Sequence, residues 1–318
     1  MVLGVEIVLL THQNERDSNQ DYASGFLYSD NRLWVPPFQT LGERVFNQPL
    51  VRMDSTLSSD YLYLAGAFLG DGFGKEGEKC SKGMSDFFLE LVNQNQPPTL
   101  NPLDRFNTRC HSRYRSLGIK EGGTTSSLLL IANNGKAMVG NMGDSRIYLK
   151  RGEEIYLLNR DHNQMLEYIT SKEKCAITDP VEFDKQDRED YSLGIKGENG
   201  DTKLLSSVLT RSVNGVDKNT LERKMYEVGR LEGYDSHLES LVIVPGDDFV
   251  LMSDGAARAF QGMTGVFRRR YLLAEILQSH SSLHNAAEEI LNLDYPYTHD
   301  NKTVVILRVT NNGNEKRG

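Results

Sequence analysis

The sequence predicts an α+β fold, in which mainly antiparallel strands form the core and the helices come in blocks. Apolar or alternating runs that are typical of strands recur along the chain, and several neighbours are separated only by short turns such as Asn133-Asn134-Gly135 and Arg151-Gly152. Short turns join antiparallel strands, whereas parallel strands need a long crossover. Helical periodicity is confined to a few segments, which favours strands and helices in separate layers.

The predicted strands share apolar or alternating side chains that end at turn residues. The first strand is indicated by the alternation of Val5, Ile7 and Leu9. The other predicted strands are residues 61–69, 127–132, 146–149, 155–158, 204–209, 241–244, 249–252 and 303–309. Apolar residues at three- and four-residue steps predict helices at 76–91, 102–117, 271–277 and 283–291.

The chain of 318 residues is predicted to form a single domain, residues 1–318, because no clear linker interrupts it. Two stretches depart from the strand pattern. Residues 30–60 contain the only tryptophan, Trp34, and a Pro36-Pro37 pair, and we interpret this stretch as an insertion. Residues 171–201 are charged and poor in apolar side chains, and we interpret the segment of about 163–203 that contains them as a second excursion from the compact core.

Charge and composition exclude several classes of function. The formal net charge of −8 argues against a nucleic-acid partner. No apolar run approaches the roughly 20 residues that span a bilayer, so no membrane partner is expected. The basic run 268–270 is predicted to be a solvated helix start. Three scattered cysteines fit a reducing compartment and give no zinc-binding spacing.

No secretory signal is recognised, since residues 1–10 lack its basic flank and Glu6 interrupts their apolar stretch. A cytoplasmic location is the expectation. Export without a recognisable signal stays open as an alternative. A monomer is expected.

Aspartates recur where the predicted strands begin or end. An Asp-Gly pair after a strand is usually only a turn, because glycine allows a positive φ and aspartate bonds its own backbone. That explanation is strained when it must cover the whole set. We place Asp21 in a polar turn after the first strand, while the others lie next to later strands: Asp71 before Gly72, Asp144 after Gly143, Asp254 before Gly255, and Asp300 before the final strand.

Aspartates at strand ends indicate a cluster of carboxylates at one edge of a sheet layer. Two carboxylates about 4 Å apart repel by on the order of 4 kcal/mol at an effective dielectric of 20. A cluster therefore needs protons or cations. Oxygen ligands without cysteine or clustered histidine select hard ions such as Mg²⁺ or Mn²⁺. Two such ions can activate a water and stabilise a phosphoryl group.

Short motifs surround these aspartates from residue 16 to about residue 309. They are R-D-S-N-Q-D at 16–21, L-G-D-G-F-G at 69–74, G-T-T at 123–125, N-M-G-D-S-R at 141–146, D-H at 161–162, L-T-R-S at 209–212, an apolar strand ending in S-D-G at 249–255, and D-N-K-T at 300–303. In sequence and in order these motifs resemble those of the metal-dependent type 2C protein serine/threonine phosphatases, and of bacterial members in particular.

The resemblance implies a sandwich of two mainly antiparallel sheets flanked by helices, with two or three Mn²⁺ or Mg²⁺ ions as cofactors. It implies that Arg16 binds the substrate phosphate and that Asp144 helps to hold a third, weaker ion. The other implied ligands are side chains and one backbone carbonyl: Asp21, Asp71, Asp254, Asp300 and the carbonyl of Gly72. Asp21, Asp71 and Asp254 would thereby serve catalysis.

Two departures from the family pattern affect the mechanism and the substrate. Phe73 stands where animal members have a histidine proposed as general acid, and phenylalanine cannot donate a proton, so the acid is unassigned. The insertion at 30–60 is either a hairpin extension of the first two strands or a docking surface formed around Trp34. The stretch at 163–203 occupies the place of the family's mobile flap.

The leading hypothesis is a Mg²⁺/Mn²⁺-dependent phosphatase that acts on phosphoserine and phosphothreonine in a phosphoprotein substrate. The alternatives are a catalytically inactive scaffold or binding protein and a metal phosphohydrolase for small molecules. Inactive relatives usually lose an acidic ligand, and in this chain every one is present. Substrate choice depends on loops, which the motifs do not specify.

Overall fold

The structure is a computed structural model. It describes residues 3–14, 16–29, 32–40, 51–53, 63–94, 102–132, 135–159, 161–162, 194–196, 202–204, 209, 212–214, 222–224, 241–260, 263–264, 267–268, 270–293 and 299–311. No helix among these residues is long and apolar enough to cross a membrane.

Strands outnumber helices among the described residues. The strands are β1 (Leu3–His12), β2 (Asp21–Ser29), β3 (Arg32–Trp34), β4 (Gln39–Thr40), β5 (Val51–Met53), β6 (Tyr63–Phe73), β7 (Gly123–Thr124), β8 (Ser126–Ala132), β9 (Lys136–Met142), β10 (Arg146–Arg151), β11 (Glu154–Leu157), β12 (Gly194–Lys196), β13 (Thr202–Leu204), β14 (Glu222–Lys224), β15 (Leu241–Val242), β16 (Asp248–Met252), β17 (Met263–Thr264), β18 (Phe267–Arg268) and β19 (Lys302–Asn311). The helices are α1 (Gly77–Asn93), α2 (Pro102–Ser116), α3 (Asp254–Ala257), α4 (Arg270–Ser279) and α5 (Leu283–Asn292), and a 3₁₀ turn, Arg258–Phe260, follows α3.

Two large sheets form the centre of the described structure. The first has the strand order β11-β10-β16-β19-β1-β4, with β5 also paired to β1. The second has the order β14-β9-β8-β6-β2-β3, with β15 on β9 and β7 on β6. The pairings are antiparallel except that between β1 and β4. The predicted α+β class with mainly antiparallel sheets is confirmed.

Three clusters of buried apolar side chains lie between four layers, which are the two sheets and a layer of helices outside each sheet. Side chains alternate along β1, so that Val5, Ile7 and Leu9 pack between the sheets while Val8 and Leu10 pack toward α4 and α5. Helices α1 and α2 cover the outer face of the second sheet. The rings of Phe68 and Phe88 contact each other in that layer. Strands buried on both faces explain the nearly continuous apolar runs in the sequence.

Three local predictions are corrected by the structure. Asp21 begins β2 rather than lying in a turn, and Asp71 and Gly72 continue β6 rather than turning the chain after it. The basic run 268–270 is not a solvated helix start, because Arg268 lies in β18 and Arg270, which does begin α4, is buried. The aliphatic stem of an arginine can pack against apolar neighbours, so the residue type alone does not indicate exposure.

The two stretches that depart from the strand pattern are described only in part. Within 30–60, β3 extends the second sheet beside β2, and β4 and β5 pair with β1 in the first sheet. Trp34 and Phe38 pack against the cluster between the sheets. Within 163–203, residues 194–196 belong to the two-stranded pair β12–β13, and residues 163–193, where the flap is predicted, lie outside the described residues.

Candidate active site

Both sheets bring strand termini to one end of the sandwich. β1 ends and β19 begins there, with His12 opposite Lys302. β16 ends beside the start of β19, and in the second sheet β2 begins where β6 ends. We call this end of the sandwich, defined by Asp21, Asp71, Asp144, Asp254 and Asp300, the aspartate edge.

Asp21 and Asp71 are direct cross-strand partners on β2 and β6. Side chains in that position lie about 4.5–5.5 Å apart at Cβ, and like charges placed there destabilise a sheet. Asp21 is 2% exposed, and its Oδ2 atom is buried with no hydrogen-bond partner. The backbone of Asp71 is fixed by Thr125, because the Asp71 amide donates to Thr125 Oγ1 and the Thr125 amide donates to the Asp71 carbonyl, both at 2.9 Å.

Gly72 lies where three backbone segments meet. Its amide donates to the Gln20 carbonyl at 3.1 Å. A Cβ atom at this position would lie 2.5 Å from the Gln20 carbonyl oxygen and 2.5 Å from the Gly77 backbone. Any larger residue would therefore push β2 or the start of α1 away from the aspartate edge, and glycine is the residue that allows this close approach.

Asp254 and Asp300 enter the aspartate edge from the first sheet. Asp254 is the first residue of α3, directly after β16. The Ser253 amide donates to the Thr303 carbonyl at 3.0 Å and the Thr303 amide donates to Ser253 Oγ at 2.9 Å, so β16 and β19 are held together beside it.

Asn301 connects the two sheets at the same edge. The amide of Gln20 donates to Asn301 Oδ1 at 2.8 Å, and Asn301 Nδ2 donates to the carbonyl of Gln13 at 2.7 Å. The side chain therefore ties the segment before β2 to the start of β19. The residues next to Asp21 and Asp300, Gln20 and Asn301, are therefore in direct contact.

Gly255→Ala is predicted to disturb the aspartate edge. A Cβ at Gly255 would lie 2.1 Å from the Asn301 carbonyl oxygen, so the segment of Asp300 and Asn301 must move. We expect a loss of about 1–3 kcal/mol in the free energy of unfolding, measured by urea titration. Gly83→Ala in α1 is the control, because the three atoms nearest to its Cβ belong to the side chain of Leu117 and not to the backbone. Equal stability of the two variants would contradict the prediction.

Two arginines pair with the carboxylates of the first sheet. Arg16 Nη2 donates to Asp300 Oδ2 at 2.8 Å, and Arg258 Nη2 donates to Asp254 Oδ2 at 2.7 Å. Among the described residues, no three acidic, histidine or cysteine side chains are grouped as a preformed metal site. In each of the two ion pairs, one carboxylate oxygen accepts a hydrogen bond from a guanidinium.

Burial and mutual repulsion raise the pKa of the carboxyl groups on the second sheet. Burial raises the pKa of Asp21 to about 7, hydrogen bonds from Ser253 and Thr303 oppose the rise, and the charges of Asp254 and Asp300 add to it. The pKa of Asp71 is also raised, first by burial and then by the charge of Asp21. Both groups therefore favour a proton, or a cation in its place, over a bare negative charge.

A pH dependence of stability follows for the EDTA-treated protein. The folded pKa of Asp21 lies above the value of about 4 for an unfolded chain, so its contribution to stability is complete below about pH 4 and is lost as the pH rises through about 7. The free energy of unfolding of Asp21→Asn minus that of wild type should therefore increase between those pH values. Urea titrations in EDTA measure this difference, and a difference that does not change with pH would contradict the assignment.

Asp144 lies in the turn that carries the chain from β9 in the second sheet to β10 in the first. The turn is held by His162, whose amide donates to the Gly143 carbonyl at 2.9 Å and whose Nδ1 accepts from the Gly143 amide at 3.2 Å. His162 thus has a structural role in holding this turn. Burial and the charges of Asp254 and Asp161 raise the pKa of Asp144, whereas Arg258 lowers it.

Next to this turn, Arg146 and Asp161 form a buried ion pair. Arg146 donates from Nε at 3.0 Å and from Nη2 at 2.7 Å to the carboxylate, and the two side chains are 0% and 5% exposed. The motifs at 141–146 and 161–162 are therefore in contact in the folded protein. Their role in the structure is to fix the turn that carries Asp144.

Sequence reasoning did not identify Arg258 or the connecting role of Asn301. The four-residue step from Asp254 to Arg258 is visible in the sequence and is the spacing of an ion pair on a helix. Helix α3 has only four residues, too few for a periodic signal. The contacts of Asn301 join residues nearly three hundred positions apart, which no local pattern reveals.

The donor set of the aspartate edge fits a hard divalent cation. It consists of carboxylate oxygens, and two of them, Asp21 Oδ2 and Asp254 Oδ1, are buried without a hydrogen-bond partner. Buried, unpaired carboxylate oxygens carry a large desolvation cost that a cation would offset. Asp21, Asp71, Asp254 and Asp300 are near enough for the charges of the other three to raise the pKa of Asp71.

Comparison with known proteins supports one family. Residues 72–167 match the model of the family "Protein phosphatase 2C". Protein phosphatase PhpP of Streptococcus pneumoniae is 31% identical over 142 residues, which cover 41% of this chain and 57% of that protein. The match thus spans little more than half the length of the curated relative.

Solved structures share the fold over nearly the whole chain. The Mycobacterium tuberculosis serine/threonine phosphatase PstP/Ppp is 16% identical, with a TM-score of 0.59 over 97% of this chain and 100% of its own. A PstP catalytic domain in complex with two manganese ions is 17% identical, with a TM-score of 0.56 over the same fractions. The chain is thus similar to the type 2C protein serine/threonine phosphatases over residues 72–167, and the predicted fold of two sheets flanked by helices is confirmed.

Proposed function

We propose that this protein hydrolyses phosphoserine and phosphothreonine in proteins, with divalent cations bound at the aspartate edge. The observation that carries the proposal is the opposition of Asp21 and Asp71 on neighbouring strands of one sheet, together with Asp254 and Asp300 from the other. This arrangement is costly without a counter-charge. The family match supports the reaction, and the manganese ions of the PstP structure support Mn²⁺ as one suitable ion.

Four carboxylates and one carbonyl would hold two Mn²⁺ or Mg²⁺ ions. They are Asp21, Asp71, Asp254, Asp300 and the backbone carbonyl of Gly72. Ions bound there would supply an activated water and offset charge on the phosphoryl group. The close packing around Gly72 keeps its backbone beside Asp71 and Asp21.

Arg16 would bind the phosphate of the substrate. Its side chain is 54% exposed and is oriented by Asp300, so a planar set of donors is held at the margin of the aspartate edge. Hydrogen bonding to Asp300 raises the pKa of Arg16, so the guanidinium stays charged. A guanidinium can donate two parallel hydrogen bonds to phosphate oxygens.

Phe73 does not supply the proton for the leaving group, since its ring has no ionisable atom and packs toward Gly123. His162 is engaged with the backbone of Gly143 through its Nδ1 atom. The proposal therefore assigns the general acid to neither side chain. We further propose that the protein acts as a monomer. A cytoplasmic location is also proposed, for which the buried thiols of Cys80 and Cys110 are suited.

An activity assay tests the proposal. Protein stripped with EDTA is supplied with Mn²⁺ or Mg²⁺ and offered p-nitrophenyl phosphate, a phosphothreonine peptide and a phosphotyrosine peptide of the same sequence. We expect ion-dependent hydrolysis, with a higher kcat/KM for the phosphothreonine peptide than for the other two. Asp254→Asn should remove this activity, whereas Asp86→Asn, on the exposed face of α1, should retain it.

Two outcomes would contradict the proposal in different ways. Folded protein that hydrolyses none of the three compounds with either ion would favour an inactive, binding role for the chain. Ion-dependent turnover of p-nitrophenyl phosphate without any turnover of the phosphothreonine peptide would favour a small-molecule substrate. Circular dichroism of each variant verifies that the folded state is being compared.

A further inference from the structure

Arg258 places a fixed positive charge at the aspartate edge. It follows Asp254 by about one helical turn, and its Nη2 donates to Asp254 Oδ2 at 2.7 Å. The two side chains are 19% and 16% exposed, so most of the pair is withdrawn from water. Ion pairs shielded in this way attract more strongly than exposed pairs.

The backbone beneath Arg258 holds the guanidinium at this place. The Arg258 amide donates to the Asp254 carbonyl, which closes the turn at the end of α3. Ala256, Ala257 and Phe260, on either side, are buried in the cluster between the first sheet and helices α4 and α5. Side chains four residues apart on a helical turn face each other, so the pairing with Asp254 follows from the local backbone.

Asp144 lies at the same end of a strand pair as Asp254. β10 pairs with β16 so that Arg146 is opposite Met252; Asp144 comes two residues before Arg146, and Asp254 comes two residues after Met252. Arg258 also favours the ionised form of Asp144, because burial and the charge of Asp254 raise the pKa of Asp144 and the charge of Arg258 lowers it. Arg258 occupies one oxygen of Asp254, which leaves Oδ1 as the buried oxygen without a partner.

We infer that Arg258 supplies in this chain the positive charge that a third cation would bring between Asp144 and Asp254, so that the protein binds two divalent ions and not three. The inference rests on the proposed function. A cation at Asp144 would have to displace the guanidinium from Asp254 or lie beside it, and two positive charges at that distance repel. The residues present thus do not fit the third ion that the resemblance assigns to Asp144.

Counting bound ions tests the inference without any measurement of activity. Metal-stripped protein is titrated with Mn²⁺, and the free ion is quantified by electron paramagnetic resonance. The variants are Arg258→Gln, which removes the charge, Arg258→Lys, which keeps it, and Asp144→Asn alone and combined with Arg258→Gln. Arg113→Gln is the control, because Arg113 pairs with Glu90 on the helical layer.

Wild type, Arg258→Lys, Asp144→Asn and Arg113→Gln should each bind two ions. Arg258→Gln should bind one more, and the added Asp144→Asn substitution should remove it. A third ion in wild type that is lost in Asp144→Asn would overturn the inference while leaving the proposed function intact. So would an unchanged count in folded Arg258→Gln. Wild type that binds no ion at all would overturn both.

Discussion

Replacing Asp71 by asparagine is expected to remove activity and to stabilise the metal-free protein. Asp71 faces Asp21 across two strands, and burial together with the charge of Asp21 raises its pKa. An amide of the same shape ends that repulsion, so we expect the EDTA-treated variant to gain about 1–3 kcal/mol in free energy of unfolding. We expect Mn²⁺-dependent activity to fall by a hundredfold or more, since even changes behind a metal ligand cost roughly 10–100-fold.

Hydrolysis of the phosphothreonine peptide measures the loss of activity, and urea titrations with EDTA and with Mn²⁺ measure the change in stability. Mn²⁺ should stabilise wild type strongly and Asp71→Asn weakly, because an ion that binds only the folded state shifts the unfolding equilibrium. Asp86→Asn is the matched control and should behave as wild type. An Asp71→Asn variant that is less stable than wild type in EDTA would show that Asp71 is not under electrostatic strain.

Removing Arg146 should cause the largest loss of stability among single charge deletions outside the aspartate edge. Its guanidinium donates to Asp161 from both Nε and Nη2, and both side chains are buried. Arg146→Met leaves the Asp161 carboxyl without its partner, which typically costs about 3–5 kcal/mol. Replacing both residues, with Arg146→Met and Asp161→Leu, should cost less than Arg146→Met alone.

The contrast with an exposed pair isolates burial as the cause. Lys75 and Glu121 lie 2.8 Å apart with side chains 79% and 60% exposed. Lys75→Met should therefore change the free energy of unfolding by about 1 kcal/mol or less. Equal losses of the free energy of unfolding for Lys75→Met and Arg146→Met in urea titrations would contradict the stabilising role of the buried pair of Arg146 and Asp161.

Local patterns predicted many of the elements. The alternation from Val5 predicted β1, and three- and four-residue steps predicted α1 and α2, because side-chain periodicity reports which face of an element is buried. The same patterns placed Asp21 and Asp71 in turns, where the structure continues the strands. An Asp-Gly pair is compatible with a turn and with a continuing strand. Pairing with a neighbouring strand decides which of the two forms.

The assembly of the site depends on pairings that local patterns do not contain. Asp21 meets Asp71 across fifty residues of sequence, through the register of β2 on β6. Asp254 and Asp300 reach the same end because β16 pairs with β19 in the other sheet. The family resemblance implied this grouping. The position of Arg258 beside Asp254 came from the structure alone.

Anomalous diffraction from crystals grown with Mn²⁺ tests the central claim most directly. Data collected at the manganese absorption edge should give two strong peaks, bounded by the carboxylates of Asp21, Asp71, Asp254 and Asp300, with no third peak at Asp144. Crystals of Asp71→Asn, prepared in the same way, should lose at least one peak. Peaks located elsewhere on the protein, or no peak in crystals of wild type that is active with Mn²⁺, would contradict a metal site at the aspartate edge.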